Sequence, residues 1–467
     1  MKESREIAMA VTLPRTVAEE EILQSLEEAS EQNLCACYQC GTCTSACPFG
    51  FAPQRVMRHL QLGQIEEALA LSTTWECASC TACTRECPHD LDPARVLKVI
   101  RGMREASGGE VQGDCAREAR RLQALAAREY RSRAHRLRSR IFAHIHSLSR
   151  AGSLSAPLSN WLLRLPFARP LLQRLVGIHE ARALPSFSRP SFPSWFARRA
   201  PGGRGERGEV ALFHDTFMDY ENPEVGKAAT ALLEAAGFRV VLSNTVCCGR
   251  PMLSKGFTRL AAAQARANVD ALLECARRGV AVVGCEPSCV LTIRHEYPEL
   301  LRGTPWEPKA KEVAGCVCLI DEFLDRMDSK GELDLRFRAP EGDDRRVLFH
   351  GHCQQKTRAD PGASLRLLMR AGYSPEMAQA GCCGMAGAFG FEKEHYEASK
   401  GAFDRGLGRA FADDPDAPLI LMGTSCRQQV AHFGGKRAQH LAEFLGERLM
   451  VEEPEEQDAP GGGLKID

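Results

Sequence analysis

Cys37-Tyr-Gln-Cys40-Gly-Thr-Cys43-Thr-Ser-Ala-Cys47-Pro48 and Cys77-Ala-Ser-Cys80-Thr-Ala-Cys83-Thr-Arg-Glu-Cys87-Pro88 stand forty residues apart near the start of the chain. Each reads C-x2-C-x2-C-x3-C-P, the ligand run of a 4Fe-4S cluster. The two-residue spacings curl one short loop around three thiolates. The fourth cysteine, displaced behind a turn that proline fixes, points away and reaches the neighbouring cluster. The pattern therefore assigns Cys37, Cys40, Cys43 and Cys87 to one cluster, and Cys77, Cys80, Cys83 and Cys47 to the other. A zinc site or a set of disulfides gives no reason for a fourth cysteine followed by proline in both runs. The intervening residues are small or short and polar (Gly41, Thr42, Ser45, Ala46; Ala78, Ser79, Thr81, Ala82), which lets backbone N–H groups approach the sulfurs.

Working outward, Val17 to Ala29 reads as an acidic helix before the first run. Pro53 to Leu71 reads as one helix with apolar positions at Val56, Leu60, Leu62, Ile65 and Leu69, and a further helix runs from Pro93 to about Ala106. Together these predict a helical ferredoxin-type dicluster domain over 31–107 behind an extension over 1–30. Residues 108–207 form a basic helical linker: arginines (Arg128, Arg131, Arg133, Arg136, Arg138, Arg140) dominate its first part, and Trp161-Leu-Leu-Arg-Leu-Pro-Phe167 follows, then a Pro/Ser/Arg-rich stretch. The segment reads as a solvated linker packed on its own domains; the other reading is an interfacial helix whose arginines meet anionic headgroups while Trp161, Leu163 and Phe167 enter the boundary. No recognised nucleic-acid module accompanies the charge.

From about 208 the chain repeats itself at an offset of 135 to 137. Glu209–His214 matches Arg345–His350, Cys247-Cys248-Gly249 matches Cys382-Cys383-Gly384, and Cys289 falls on Cys426. Strand, helix and Cys-Cys-Gly loop alternate in each unit, which predicts two pseudo-repeated α/β lobes, 208–335 and 336–450, with cysteines at strand ends. Adjacent cysteines diverge, so they suit a multi-iron cluster rather than one chelated ion, and the glycine permits the turn. The second unit supplies Cys353, Cys382, Cys383 and Cys426, enough for a third cluster. The first supplies Cys247, Cys248, Cys285 and Cys289, but Phe217 stands opposite Cys353 and Met422 opposite Cys285. Its cysteines are either a fourth thiolate set or the remnant of one, packed as small hydrophobes. Cys35, Cys115, Cys275, Cys316 and Cys318 have no motif and read as packing residues. The tail, 451–467, is acidic and then glycine-rich and reads as disordered.

The 467-residue chain is long enough for several cores, and with 60 basic and 60 acidic residues it has no net charge to steer nucleic acid. No run of eighteen apolar residues and no signal segment is present, so the expected place is a reducing cytoplasm, or peripherally the inner face of the membrane. Neither a Gly-rich dinucleotide fingerprint nor a P-loop occurs, so electrons must enter from a partner.

The motifs carry a resemblance. CYQCGTCTSACP through WECASCTACTRECP resembles the iron-sulfur subunit of heterodisulfide reductases. LFHDTF, CCGRP, EPSC, HGHC, GCCGMAGAFGFEKEHY and GTSCRQQ are similar to the CCG domains of those enzymes and of their dehydrogenase relatives, the iron-sulfur subunits of glycolate oxidase, D-lactate dehydrogenase and anaerobic glycerol-3-phosphate dehydrogenase. The resemblance implies a CCG cluster, in some relatives a non-cubane species that cleaves disulfides. This chain departs from the five-cysteine pattern of those catalytic units: Gly423-Thr-Ser-Cys426 lacks one ligand, and the first unit lacks its leading cysteine. The departures favour electron transfer, between an FAD-containing dehydrogenase (2-hydroxy acid or glycerol-3-phosphate type) and an acceptor such as quinone; disulfide reduction at the CCG cluster is the alternative. His350 and His352 beside Cys353 either hold their loop by hydrogen bonds, or replace a ligand or move protons.

Overall fold

The structure, a computed structural model, describes residues 17–103, 114–133, 136–200, 202, 205–340 and 345–450. The tail read as disordered lies outside these residues, as does the side chain of Cys115.

The first region is helical. Each cysteine run is followed by a helix that begins on proline, Pro53–Gln61 and Pro93–Gly102, where a missing N–H costs nothing. Asp92 caps the second by accepting from Arg95 N at 2.9 Å. Val56, Met57 and Leu60 of one helix and Val96, Leu97 and Ile100 of the other meet Leu69, Leu122 and Ile22 in one apolar core. The acidic helix Val17–Ser30 closes it through Ile22, Leu23 and Leu26. The single helix expected over Pro53 to Leu71 is two, Pro53–Gln61 and Ile65–Ala70, because Gly63 turns the chain at φ +76°.

Beyond the linker helices lie two small parallel sheets. Strands β1 (Glu209–Phe213), β2 (Arg239–Leu242), β3 (Val282–Gly284) and β4 (Val317–Leu319) run in the order β2-β1-β3-β4; β5 (Arg346–His350), β6 (Ser374–Met377) and β7 (Leu419–Leu421) run β6-β5-β7. β1, β3, β5 and β7 are near-continuous apolar runs, as expected where helices cover both faces. One core joins the sheets: Val210 and Leu212 of β1, Val347 and Phe349 of β5 and Ile420 of β7 meet with Leu232, Phe444 and Leu445. Cys316 ends the helix Glu307–Cys316, and Cys318 lies within β4. Cys35, expected to pack, is exposed.

This topology places the cysteines. The Cys-Cys-Gly loops follow β2 and β6, Cys289 and Cys426 lie on helices that follow β3 and β7, and Cys353 begins the helix after β5. All sit past the carboxyl ends of parallel strands, where loops open a crevice.

Candidate iron-sulfur centres

In the helical region the two runs cross. Cys37, Cys40, Cys43 and Cys87 line one cavity with Gln39, Gly41 and Pro88. Cys47 faces Cys77 and Cys80, which also face Cys83. The backbone of the two loops repeats as well: Gln39 and Gly41 in the first, Ser79 and Thr81 in the second, have positive φ (61°, 83°, 51°, 60°). These left-handed residues turn N–H groups inward, and Ser79 N donates to Cys77 Sγ at 3.4 Å. The same donation, from the residue two positions on, reaches Cys37, Cys47, Cys247, Cys248 and Cys383 from Gln39, Phe49, Gly249, Arg250 and Met385. Such N–H···S contacts tune a bound cluster. Burial pushes the thiols of Cys37, Cys43, Cys47 and Cys77 up, and the buried Arg101 opposes this at Cys77, donating to its carbonyl at 3.0 Å and to Ser79 Oγ at 3.0 Å.

In the second sheet region Cys353, Cys382, Cys383 and Cys426 form a chain of thiol contacts: Cys353 with Cys382, Cys382 with Cys383, and Cys383 with Cys426. Gly384 holds φ +92° and donates its N–H to Cys382 Sγ at 3.5 Å; a Cβ there would collide with the Ser399 carbonyl. Lys356, on the helix opened by Cys353, reaches the carbonyls of Ala380 and Gly381 and sets its charge beside Cys426, Cys353 and Cys382. His352 caps that helix, accepting from Gln354 N at 3.2 Å. Burial alone would lower its pKa, but the neighbouring Cys353 holds it up at about 9. His350 is different. It is fully buried, burial pushes its pKa well down, and its Nε2 has no hydrogen-bond partner.

These observations test whether the residues fit an iron-sulfur group. The donor set is all thiol, the surrounding cations match thiolates, and the buried His350 ring leaves one nitrogen for a sulfur acceptor near Cys383. Among the described residues no group of three or more His, Cys, Asp or Glu side chains forms a single-ion site. A multi-iron group, in which each iron takes its own ligand, is the kind of group such an all-thiol donor set suits.

In the first sheet region Cys248 Sγ and Cys289 Sγ lie 3.1 Å apart and Cys247 contacts Cys248. Cys285 does not join them. It sits in the core shared by both sheets, and its carbonyl accepts from His440 Nε2 at 3.1 Å. Glu286 caps a new helix right after it, so the four-residue spacing to Cys289 is not one helix face.

The two regions touch at the thiols. Cys47 and Cys80 share an apolar cluster with Cys353 and Cys382, walled by Phe49, Phe51 and Phe389, and Cys80 is in side-chain contact with Cys382. The Ser79 carbonyl accepts from both Gln354 Nε2 (2.9 Å) and Arg250 Nη2 (3.3 Å), and Thr81 Oγ1 meets Thr357 Oγ1 at 2.9 Å. Buried Glu296 ties Arg250 (2.6 Å), Arg358 (3.4 Å) and Lys98 (3.8 Å) together from all three regions.

Sequence reading passed over Lys356 and Arg182. Lys356 stands three positions after Cys353, on the same helix face, which is a usable signal. Arg182 gives none: it leaves a Pro/Ser-rich stretch to bury its guanidinium against Gln429 Oε1 (2.9 Å) and Ser399 Oγ (2.7 Å), over Phe433.

Comparison with known proteins agrees with this chemistry. The 4Fe-4S dicluster domain family matches residues 36–91, and the cysteine-rich CCG domain family matches residues 210–294. The chain is thus an iron-sulfur protein that joins a dicluster domain to a CCG region. Within that class it is similar to a subunit of the anaerobic glycerol-3-phosphate dehydrogenase of Escherichia coli K12, at 28% identity over 67% of this chain and 77% of the relative. It is also similar to D-2-hydroxyglutarate dehydrogenase of the same organism (27%, over 66% of this chain and 30% of that one) and to lactate utilization protein A of Geobacillus kaustophilus (26%, over 51% and 99%).

Proposed function

We propose that the chain is the iron-sulfur electron-transfer subunit of an oxidoreductase. It relays electrons between a partner FAD-containing dehydrogenase, of 2-hydroxy acid or glycerol-3-phosphate type, and an acceptor such as quinone. Cys37, Cys40, Cys43 and Cys87 hold one 4Fe-4S cluster; Cys77, Cys80, Cys83 and Cys47 hold the second; Cys353, Cys382, Cys383 and Cys426 hold a third. Bound clusters supply one-electron carriers, and the protein fixes their spacing and charge. The observation that carries the reading is the contact of Cys80 with Cys382, which joins the second ferredoxin-type site to the CCG site without intervening protein. The relatives' names, each a dehydrogenase or a lactate utilization protein, support a dehydrogenase partner.

The domain plan follows: a dicluster domain over 31–107, a linker over 108–207, and pseudo-repeated lobes over 208–335 and 336–450. Support for the repeat is that β1 and β5 are each flanked by the next two strands of their unit, and that a π-helical turn (Thr292–Glu296, Val430–Gly434) follows the helix bearing Cys289 or Cys426.

Iron content and EPR of anaerobically purified, reduced protein test the reading. About twelve irons per chain, four for each cluster, are expected. About eight would remove the third site. A new paramagnetic species on adding a thiol to oxidised protein would replace electron relay by disulfide reduction.

A further inference from the structure

The helices Leu158–Arg164 and Ala168–Val176 form a hairpin with almost no inside. The first buries no residue and the second buries only Val176. Leu154, Leu158, Trp161, Phe167, Leu171 and Leu175 are all exposed, Trp161 at 58% and Phe167 at 64%. A soluble surface rarely gathers large apolar side chains this densely, so something covers them. The neighbouring linker helices do pack on the rest of the chain, Leu122 and Ala126 in the helical core and Ala143 against Met252 and Ala261, so the hairpin is the exception.

Charge identifies the cover. From Tyr130 to His179 the chain contains no Asp or Glu. Arg150, Arg164, Arg169 and Arg174 are exposed around the apolar residues, and among the described residues none has an ion pair. A second copy of the chain would bring these arginines against their own kind, a like-charge contact that disfavours a two-fold interface. Apolar residues ringed by unpaired arginines match an anionic lipid surface, where the hydrocarbon boundary takes the first and the headgroups take the second. The helices, seven and nine residues, are roughly 10 and 14 Å long. A bilayer core is about 30 Å thick, so they lie in the interface and do not span it.

The base of the hairpin is rigid. Gly177 O accepts from Lys393 N (3.0 Å) and Arg138 Nη1 (2.9 Å), His179 N donates to Phe391 O (2.8 Å), and the His179 ring stacks on Tyr396 at 3.7 Å. The hairpin is bolted to the segment 389–396, whose Phe389 walls the thiol cluster of Cys382. We infer that this hairpin is a membrane-docking element, which seats the protein on an anionic bilayer and fixes the orientation of the second CCG region above it. The inference does not rest on the electron-transfer reading, since lipid binding needs no cluster chemistry.

Vesicle co-sedimentation of the full chain tests it, with phosphatidylcholine vesicles with and without phosphatidylglycerol. The protein is expected to pellet with the anionic vesicles and to be released by salt. A variant combining Trp161→Ser, Phe167→Ser and Leu171→Ser should lose binding. The set Arg164→Gln, Arg169→Gln and Arg174→Gln should lose the preference for anionic vesicles, at roughly fivefold in affinity per arginine. All six side chains are exposed, so folding survives. Absence of vesicle binding, equal binding to neutral vesicles, or a vesicle-free dimer abolished by the serine variant would overturn the inference, the last in favour of a second copy.

Discussion

The two sheet regions each carry four cysteines past their strand ends, yet they treat them differently. In the second region, all four thiols are in contact around Lys356, which meets His350 Nδ1 at 3.4 Å. In the first, three meet, while Cys285 is turned into the shared core and the position matching Lys356 is Tyr220. A thiolate cluster carries negative charge; the second region sets Lys356 beside three of its thiols, whereas the first sets Arg250 beside Cys248 alone of its own. Motif counting sees two similar units; their surroundings differ in which thiols meet and which cation stands beside them.

The largest expected effect breaks this comparison most directly. Cys383→Ser should lower iron from about twelve to about eight per chain, whereas Cys248→Ser should leave it unchanged, by colorimetric iron assay. Equal losses would show that both regions bind clusters.

A second contrast concerns the glycines of the two Cys-Cys-Gly loops. Gly384→Ala places a Cβ against the Ser399 carbonyl as well as straining a φ of +92°, and should cost about 3 kcal/mol in anaerobic denaturant unfolding. Gly249→Ala has φ +80° but its Cβ comes no closer than 3.4 Å to Ala261 Cα, so the strain alone, about 1 kcal/mol, should appear.

The acid limb of stability compares two buried carboxylates. Burial would raise Glu392, but Lys255, His395 (2.9 Å) and Arg138 (3.3 Å) hold it at about 2. Glu296 is likewise held at about 2, by Arg250, Lys98 and Arg358. Both folded pKa values lie below the ordinary carboxylate range, so their contribution is present above that range and is lost as pH falls toward 2. Glu392→Gln and Glu296→Gln should each flatten the loss of stability between about pH 5 and 2, by roughly 2–3 kcal/mol. Glu296→Gln should in addition loosen the helical region, read as faster amide exchange around Ser79, which Glu392→Gln should leave unchanged.

The smallest expected effect is on potential. Lys356→Met should shift the second-region cluster to a more negative potential by tens of millivolts, on the order of one screened charge interaction, in an EPR-monitored titration. The two ferredoxin-type clusters should move less.

Much of this was legible in the sequence. The crossed grouping of the eight ferredoxin-type cysteines is read from spacing and proline; in the structure Cys37, Cys40, Cys43 and Cys87 line one cavity, and Cys47 neighbours Cys77 and Cys80. Strands β1, β3, β5 and β7 could be read because they are short apolar runs. What could not be read depended on direction in space. Left-handed conformations at Gln39, Ser79 and Thr81 carry no glycine to announce them. Cys285 and Cys289 look like one helix face until the bend at Glu286 parts them. The linker's arginines and apolar residues were visible as composition, but whether other elements covered them is a property of the fold alone.

The pinned Ser79 carbonyl and the buried thiols beside it also make the two loops unequal in exposure. Cys80 and Cys83 lie within the protein once Arg250, Gln354 and Thr357 have closed over the second loop, whereas Cys40 stays exposed. Access to the two loops is therefore unequal: in the folded chain the second is shielded from solvent-borne oxidants and chelators, while the first keeps the Cys40 thiol open to them.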